Sequence, residues 1–289
     1  MTYAIAGVSG NTGKAAAEAL LTQGKSIRVI VRDAAKASAW KARGAEVAVA
    51  DLGNADALAR ALAGTQGAYL LIPPNMGAPR FRLYQDNTAA ALAAAVDRSG
   101  VPHVVFLSSV GAQHPAGTGP IAALYGAEKK FAALATTRFS FLRAAYFMEN
   151  LGGSLGMIEH GIVPSFTPAA FAFDMIATAD IGRLAAQLLV EGTDKNQVVE
   201  LGGPARSMND VAAALSAIVG KPIKVQEAPL DAMVPTLTGL GLPQEIAGMY
   251  REMTEGLLRG QVAFEGGHRR VLGTTPLETV LRALLAPKG

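Results

Sequence analysis

Short apolar runs alternate with helical patterns along the first half of this chain. The runs predict strands at Tyr3–Ala6, Ile27–Val31, Glu46–Ala50, Ala68–Ile72, Val104–Leu107 and Phe139–Leu142. Between them, amphipathic spacing predicts helices over Lys14–Thr22, Ala34–Ala42, Asp56–Ala63, Leu83–Arg98 and Ala122–Ala135. The runs are too apolar for strands with one face in water, and the connections are long enough to cross over. The pattern therefore predicts an α/β fold with a doubly wound parallel sheet, covered by helices on both faces.

After about Tyr146 the pattern loosens. The stretch "GIVPSFTPAAFAFDM" (161–175) is rich in Pro and Phe and reads as an irregular loop region. "TADIGRLAAQLLVEG" returns as a helix capped by Thr178, and a strand follows at Val198–Leu201. From Asn209 come a helix, a short strand near Ile223–Gln226 and further helices. Met249, Met253 and Leu257 recur at helical spacing, which marks a core or lid face. The expected organisation is a dinucleotide-binding domain over 1–150, completed by 178–203. A smaller, discontinuous α/β substrate-binding part, 151–177 and 204–289, folds over the strand ends.

Composition narrows the function. Half of the 289 residues are hydrophobic and 17% are charged, a globular balance able to bury a sizeable core. The net charge is only +3 and no basic run reaches five residues, which argues against nucleic acid as a partner. With no cysteine there is no disulfide framework and no thiolate chemistry. His103, His114, His160 and His268 lack metal-ligand spacing, so no metal is assigned. No apolar run reaches membrane-spanning length, and the chain opens directly into "TYAIAG"; a cytoplasmic protein with no membrane partner is expected.

"IAGVSGNTGKAAAEAL" places Gly7, Gly10 and Gly13 between the first strand and the first helix. The first glycine permits a tight turn, the second lets backbone approach a pyrophosphate, and the third lets helix and strand pack closely. With Ser9, Asn11 and Thr12 they form the expected phosphate cradle of a Rossmann-type domain, at the positive end of a helix dipole. "IRVIVRD" ends the second strand at Arg32, with Lys36 shortly after. An arginine there can clamp a 2′-phosphate, so NADPH is preferred over NADH. In the other reading Asp33 is the ribose ligand and Arg32 a solvated charge. Asp51 and Leu52, after the third strand, are expected to edge the adenine.

The segments "GVSGNTG", "VRD", "ADL", "FLSSVGA" (106–112) and "LRAAYFMEN" (142–150) together resemble the NmrA-like family, a branch of atypical short-chain dehydrogenase/reductases. The segments 236–260 and "VLGTTPLETVL" are similar to those of its type 2 NAD(P)H:quinone oxidoreductases. The resemblance covers nearly the whole chain. It implies a Rossmann domain, a small C-terminal domain and a substrate cleft between them. It also implies NADPH-dependent transfer of hydride to a quinone or similar small conjugated acceptor, in a monomer or homodimer. The family includes members without turnover that bind dinucleotide and regulate transcription factors, so a non-catalytic NAD(P) sensor is the alternative.

Short-chain reductases that act on carbonyls use Ser, Tyr and Lys together. Here Ser108 and Ser109 end the fifth strand, while Tyr125 and Lys129 stand four apart on the next helix, on one face. In a carbonyl reductase or epimerase-type enzyme, Tyr125 would deliver the proton, Ser109 would polarise the same oxygen, and Lys129 would lower the tyrosine pKa and hold the nicotinamide ribose. Ser108 is assigned to the cofactor side. Quinone reductases of this branch often replace the tyrosine and keep the lysine, so Tyr125 stays open between catalysis and an ordinary helix position. In this fold the loop after the fourth strand, with Ile72, Pro73 and Asn75, runs beside the nicotinamide, and Tyr146 follows the sixth strand at the same edge. Phe81, Tyr84, Phe147, Met148 and Asn150 are read as a slot for a flat substrate or, equally, as packing between sheet and lid.

Overall fold

The apolar runs pair into one sheet whose interior strands bury both faces. In the computed structural model, which describes residues 1–286, β1 (Thr2–Ala6) lies inside an eight-stranded sheet, third from one edge. It pairs on one side with β2 (Ser26–Val31), which pairs with β3 (Glu46–Val49). On the other side it pairs with β4 (Gly67–Leu70), followed outward by β5 (His103–Ser109) and β6 (Arg138–Ala144). The chain thus winds one way from β1 to β3 and the other way from β4, which makes the β1/β4 boundary the switch point where ligands bind in such sheets.

The helices cover the two faces. α1 (Asn11–Thr22) packs on the face carrying Ile5, Tyr69, Val105 and Leu142. α3 (Ala55–Leu62), α4 (Phe81–Ser99) and α5 (Ala122–Ala132) cover the face carrying Ala4, Leu70, Phe106 and Phe139. The helix expected over 34–42 splits into a 3₁₀ turn, Ala34–Ala37, capped by the Asp33 carboxylate, and a short α2 (Ser38–Ala42).

The second half departs from the expected pattern in three places. Residues 161–175, expected as loop, contain β8 (Ile162–Ser165) and most of β9 (Phe173–Ile176). β9 pairs with β7 (Tyr146–Phe147), and β8 with β12 (Lys224–Glu227). These strands are too short for their alternation to show. Second, residues 269–272, expected in the smaller part, return to the large sheet. They form β13 (Arg269–Leu272), parallel to β10 (Gln197–Gly202), which itself pairs with β6. An edge strand with two arginines carries no apolar run.

Third, Thr178 does not cap its helix. It is the first residue of α6 (Thr178–Glu191), and the cap comes from far along the chain. The Glu149 carboxylate accepts the Thr178 backbone N–H at 2.9 Å and its hydroxyl at 2.5 Å. A carboxylate at a helix N-terminus satisfies a free donor and complements the dipole. Glu149 lies in a 3₁₀ stretch, Met148–His160, that opens the smaller part. β11 (Ala205–Arg206), α7 (Met208–Val219) and α10 (Leu277–Leu285) complete that part, around Met148, Met175, Leu215 and Leu281. α8 (Met233–Gly239) and α9 (Gln244–Leu258) form the remaining helical pair.

Replacing Glu149 by Ala should lower unfolding stability by about 1–2 kcal/mol, the usual effect of losing an N-cap. The midpoint of urea unfolding should fall with its slope unchanged. Glu149→Gln, which keeps an acceptor oxygen, should cost less than half as much.

Candidate functional site

The three glycines do different work. Gly7 has φ +70°, and a Cβ there would also lie 2.9 Å from the Leu71 side chain. A Cβ on Gly13 would fall 2.4 Å from the Ala6 carbonyl oxygen, so only glycine lets α1 lie this close to β1. Gly10 is exposed and extended, and its N–H donates to the Gly7 carbonyl at 2.9 Å. No side chain caps α1 and no acidic residue stands in its first turn. Exposed Ser9, Gly10 and Asn11 thus border a helix start whose first N–H groups, from Asn11 to Gly13, are free at a positive dipole end, a fit for a pyrophosphate.

At the end of β2, Arg32 and Lys36 are exposed, whereas one Asp33 oxygen accepts the Ala35 N–H at 2.9 Å and caps the following turn. Asp51 turns back on Gly53 N–H at 2.7 Å, and Leu52 beside it is half-buried. Tyr84 donates to the Pro73 carbonyl at 3.1 Å. Burial pushes its phenol pKa up; the nearby Asp51 charge adds to this and Arg32 opposes it, which brings all three side chains to one corner. An open groove of about 690 Å³ runs here between Asp51, Asn75, Arg80, Leu83 and Tyr84.

This placement separates residues that the sequence grouped together. Asn75 lines the groove beside Asp51. Phe81 and Met148 are only 4% and 2% exposed, so both are core residues rather than open walls of a slot. Ile72, Pro73, Tyr146 and Phe147 are half-buried along the sheet edge, and Asn150 is exposed.

Tyr125 and Lys129 do come together. Tyr125 is half-buried, Lys129 is exposed, and the ammonium sits 5.6 Å from the centre of the tyrosine ring. Ser109 donates to the Val110 carbonyl at 3.0 Å. Ser108 is 3% exposed and donates to Glu128 at 2.5 Å, so its hydroxyl points into the protein and not toward a ligand. Glu128 in turn takes both Nε (3.1 Å) and Nη2 (2.7 Å) of Arg143 on β6, and Arg143 Nη1 reaches Glu265 at 2.7 Å. That guanidinium holds the Glu265 carboxyl below its ordinary range. Glu128 and Arg143 escaped the sequence reading; the signal was a charge inside the apolar "FLRAA" and another in "YGAEKK".

A second group the sequence missed is aromatic. Tyr146 meets Phe173 edge-on, with centroids 5.3 Å apart at 87°, and Phe171 follows at 6.1 Å from Phe173. Burial pushes the Tyr146 phenol up to about 12, with Tyr250 of α9 contributing from nearby. Phe171 and Phe173 lay within the segment read as loop, and Tyr250 beside the methionine stripe.

The chain is 30% identical over 250 residues to an NAD(P)H azoreductase from Xenophilus azovorans, covering 85% of each chain. It is also 30% identical over 267 residues to quinone oxidoreductase 2 of Escherichia coli (strain K12), covering 89% of this chain and 88% of that one. The crystal structure of the NADPH-dependent quinone oxidoreductase QOR2 from Escherichia coli, complexed with NADPH, superposes with a TM-score of 0.80. It is 25% identical and covers 99% of this chain and 100% of that one. A triphenylmethane reductase from Citrobacter sp., complexed with NADP(H), shares the fold at 20% identity with a TM-score of 0.79, over 99% of this chain and 100% of that one. The profile of the NmrA-like family matches residues 1–261, and the chain belongs to that family.

Proposed function

We propose that this chain is an NADPH-dependent oxidoreductase that passes hydride to a quinone or a similar small conjugated acceptor. The observation that carries the reading is the glycine-built anion cradle at the start of α1, with Arg32 and Lys36 exposed at the end of β2. The relatives named as azoreductase and quinone oxidoreductase support the same class of chemistry. When bound, the cofactor supplies hydride; the chain binds it, orients it and shields the acceptor.

In this reading Gly7, Ser9, Gly10, Asn11, Thr12 and Gly13 hold the pyrophosphate through backbone N–H groups. Arg32 and Lys36 hold the 2′-phosphate, and Asp51 and Leu52 edge the adenine. Ile72, Pro73 and Tyr146 flank the nicotinamide, and Lys129 holds its ribose. Asp33, with one oxygen engaged in a cap, is the weaker ribose ligand. Phe147 and Asn150 remain on the substrate side. The substrate is a small molecule, and a cytoplasmic location belongs to the same proposal, on the cysteine-free composition.

Purified protein should oxidise NADPH in the presence of a simple quinone well above the uncatalysed rate; NADPH binding without turnover on any acceptor refutes the reading. Arg32→Asp should weaken NADPH binding by about 10–100-fold, the ~1.5–3 kcal/mol of a charge-assisted contact, and should change NADH binding far less. Titration by cofactor fluorescence measures both. Tyr125→Phe keeps the ring under the Lys129 ammonium, so quinone kcat/KM should change by less than about fivefold, ~1 kcal/mol. A loss of activity would move Tyr125, with Ser109, into proton delivery.

A further inference from the structure

Two neighbouring residues of α5 face different surroundings. Glu128 is 8% exposed, whereas Lys129, about 100° further round the helix, is exposed. Ser108 donates to Glu128 Oε1 at 2.5 Å. The Arg143 fork donates Nε to the same oxygen at 3.1 Å and Nη2 to Oε2 at 2.7 Å. Ser108 and Arg143 are in-register partners on β5 and β6, so the sheet itself sets the place of both donors. A bidentate pair fixes the direction of the carboxylate as well as its distance. Little else on that face fixes the turn of α5, because its other buried residues are Ala122, Ala123, Ala127 and Phe131. Phe131 stacks on Phe139 with centroids 5.4 Å apart and pins the end of the helix. Each alanine methyl adds few contacts, so Glu128 orients the middle.

The ion pair is itself held from the far side. Arg143 Nη1 donates to Glu265 at 2.7 Å, and the next residue, Gly266, donates its N–H to Glu200 at 2.9 Å. Gln113, in the loop that leads from β5 towards α5, donates to the Ala263 carbonyl at 2.8 Å. Segment 263–266 therefore braces both the guanidinium behind α5 and the loop in front of it. On the exposed side, the Lys129 ammonium sits 5.6 Å from the centre of the Tyr125 ring, one turn back on the same helix. That contact steers the flexible lysine stem, so a rotation of α5 carries the ammonium with it.

We propose that Glu128 and Arg143 are positioning residues, whose buried ion pair turns α5 so that the Lys129 ammonium meets the ribose of the nicotinamide. The inference rests on the ribose role given to Lys129 above. Neither residue touches the dinucleotide in this arrangement. Glu128 acts through its neighbour Lys129, and Arg143 acts through Glu128. Orientation matters because a charge-assisted hydrogen bond weakens steeply once its donor leaves the line of the acceptor. The adenine half of the cofactor, held by the glycine loop and Arg32 in the same reading, lies outside this chain of contacts. The two halves of the cofactor therefore respond differently to loss of the pair.

The test is calorimetric binding of NADPH and of adenosine 2′,5′-bisphosphate, which has the adenine and the 2′-phosphate but no nicotinamide ribose. The double variant Glu128→Gln with Arg143→Met leaves no buried charge unpaired and keeps an acceptor for Ser108. Its Kd for NADPH should rise about tenfold, and that for the bisphosphate should change less than about twofold. Equal losses for both ligands mark a general loss of structure and overturn the proposal, as does an unchanged NADPH affinity. Lys129→Met should weaken NADPH by a similar factor. Added to the pair variant it should weaken NADPH little further, since both act through one contact. Full additivity overturns the proposal. No loss in Lys129→Met sinks the ribose role of the lysine, and failure of wild type to bind NADPH sinks the cofactor site itself; either takes the proposal with it. Should the double variant not fold, Glu128→Gln alone leaves Arg143 its Glu265 partner. It should still weaken NADPH severalfold and spare the bisphosphate, and an unchanged NADPH affinity there overturns the proposal.

Discussion

How closely α1 can lie against β1 governs the whole C-terminal edge of the sheet. The contact exists because Gly13 has no side chain where the Ala6 carbonyl passes. The same trick recurs one layer out. A Cβ on Gly182 would lie 2.4 Å from that of Ala15 and 2.7 Å from the Thr12 carbonyl oxygen, so α6 can settle onto α1. Buried Ala16, Ala17, Ala185 and Ala186 belong to the same cluster. α6 then reports the position of α1 to the smaller part of the molecule. Its first residue is held by Glu149, and Asp180 accepts the Thr275 N–H at 3.0 Å. The glycine loop before α1 and the first turn of α6 are in this way set by one close approach.

A second constraint fixes α5. Ser108, Arg143, Glu200 and Arg270 are in-register neighbours across β5, β6, β10 and β13, so they share one face of the sheet. Arg143, 6% exposed, bridges Glu128 of α5 to Glu265 of the segment before β13. Glu200 receives the Gly266 N–H at 2.9 Å. Such a pair adds little net stability over an apolar core, yet removing one partner leaves a buried charge and costs on the order of 3–5 kcal/mol. Its effect is positional. The helix turn that carries Glu128 also carries Tyr125 and Lys129, so an ion pair deep in the sheet sets the direction of both.

What could be read in the sequence follows the physics of burial. The strands that bury both faces announce themselves as apolar runs, and β1, the glycine loop and α1 are legible because Gly7 and Gly13 answer separate steric demands. β13 was not legible, since an edge strand with Arg269 and Arg270 has no apolar signature. Nor was the Thr178 helix start, where local spacing suggests a cap that Glu149 supplies from 29 residues away. The site divides along the same line. Residues whose role is written in backbone, such as Gly7 and Gly13, stand out. Ser108 could not be told from Ser109 by sequence, because the choice depends on Glu128 sitting behind one of them.

The two ends of the cleft are consequently built from different material. In the reading proposed above, the nucleotide end combines glycine backbone and a helix dipole, where a Cβ on Gly13 would meet the Ala6 carbonyl, with the exposed side chains of Arg32 and Lys36. The acceptor end proposed for it is made of side chains, such as half-buried Phe147 on β7 and exposed Asn150. A substitution there alters the shape and donors facing the acceptor without disturbing the cradle. Cofactor choice and acceptor choice are therefore separable in this molecule. The pyrophosphate cradle is locked to the fold, whereas in the proposed reading cofactor choice rests on the exposed side chains of Arg32 and Lys36.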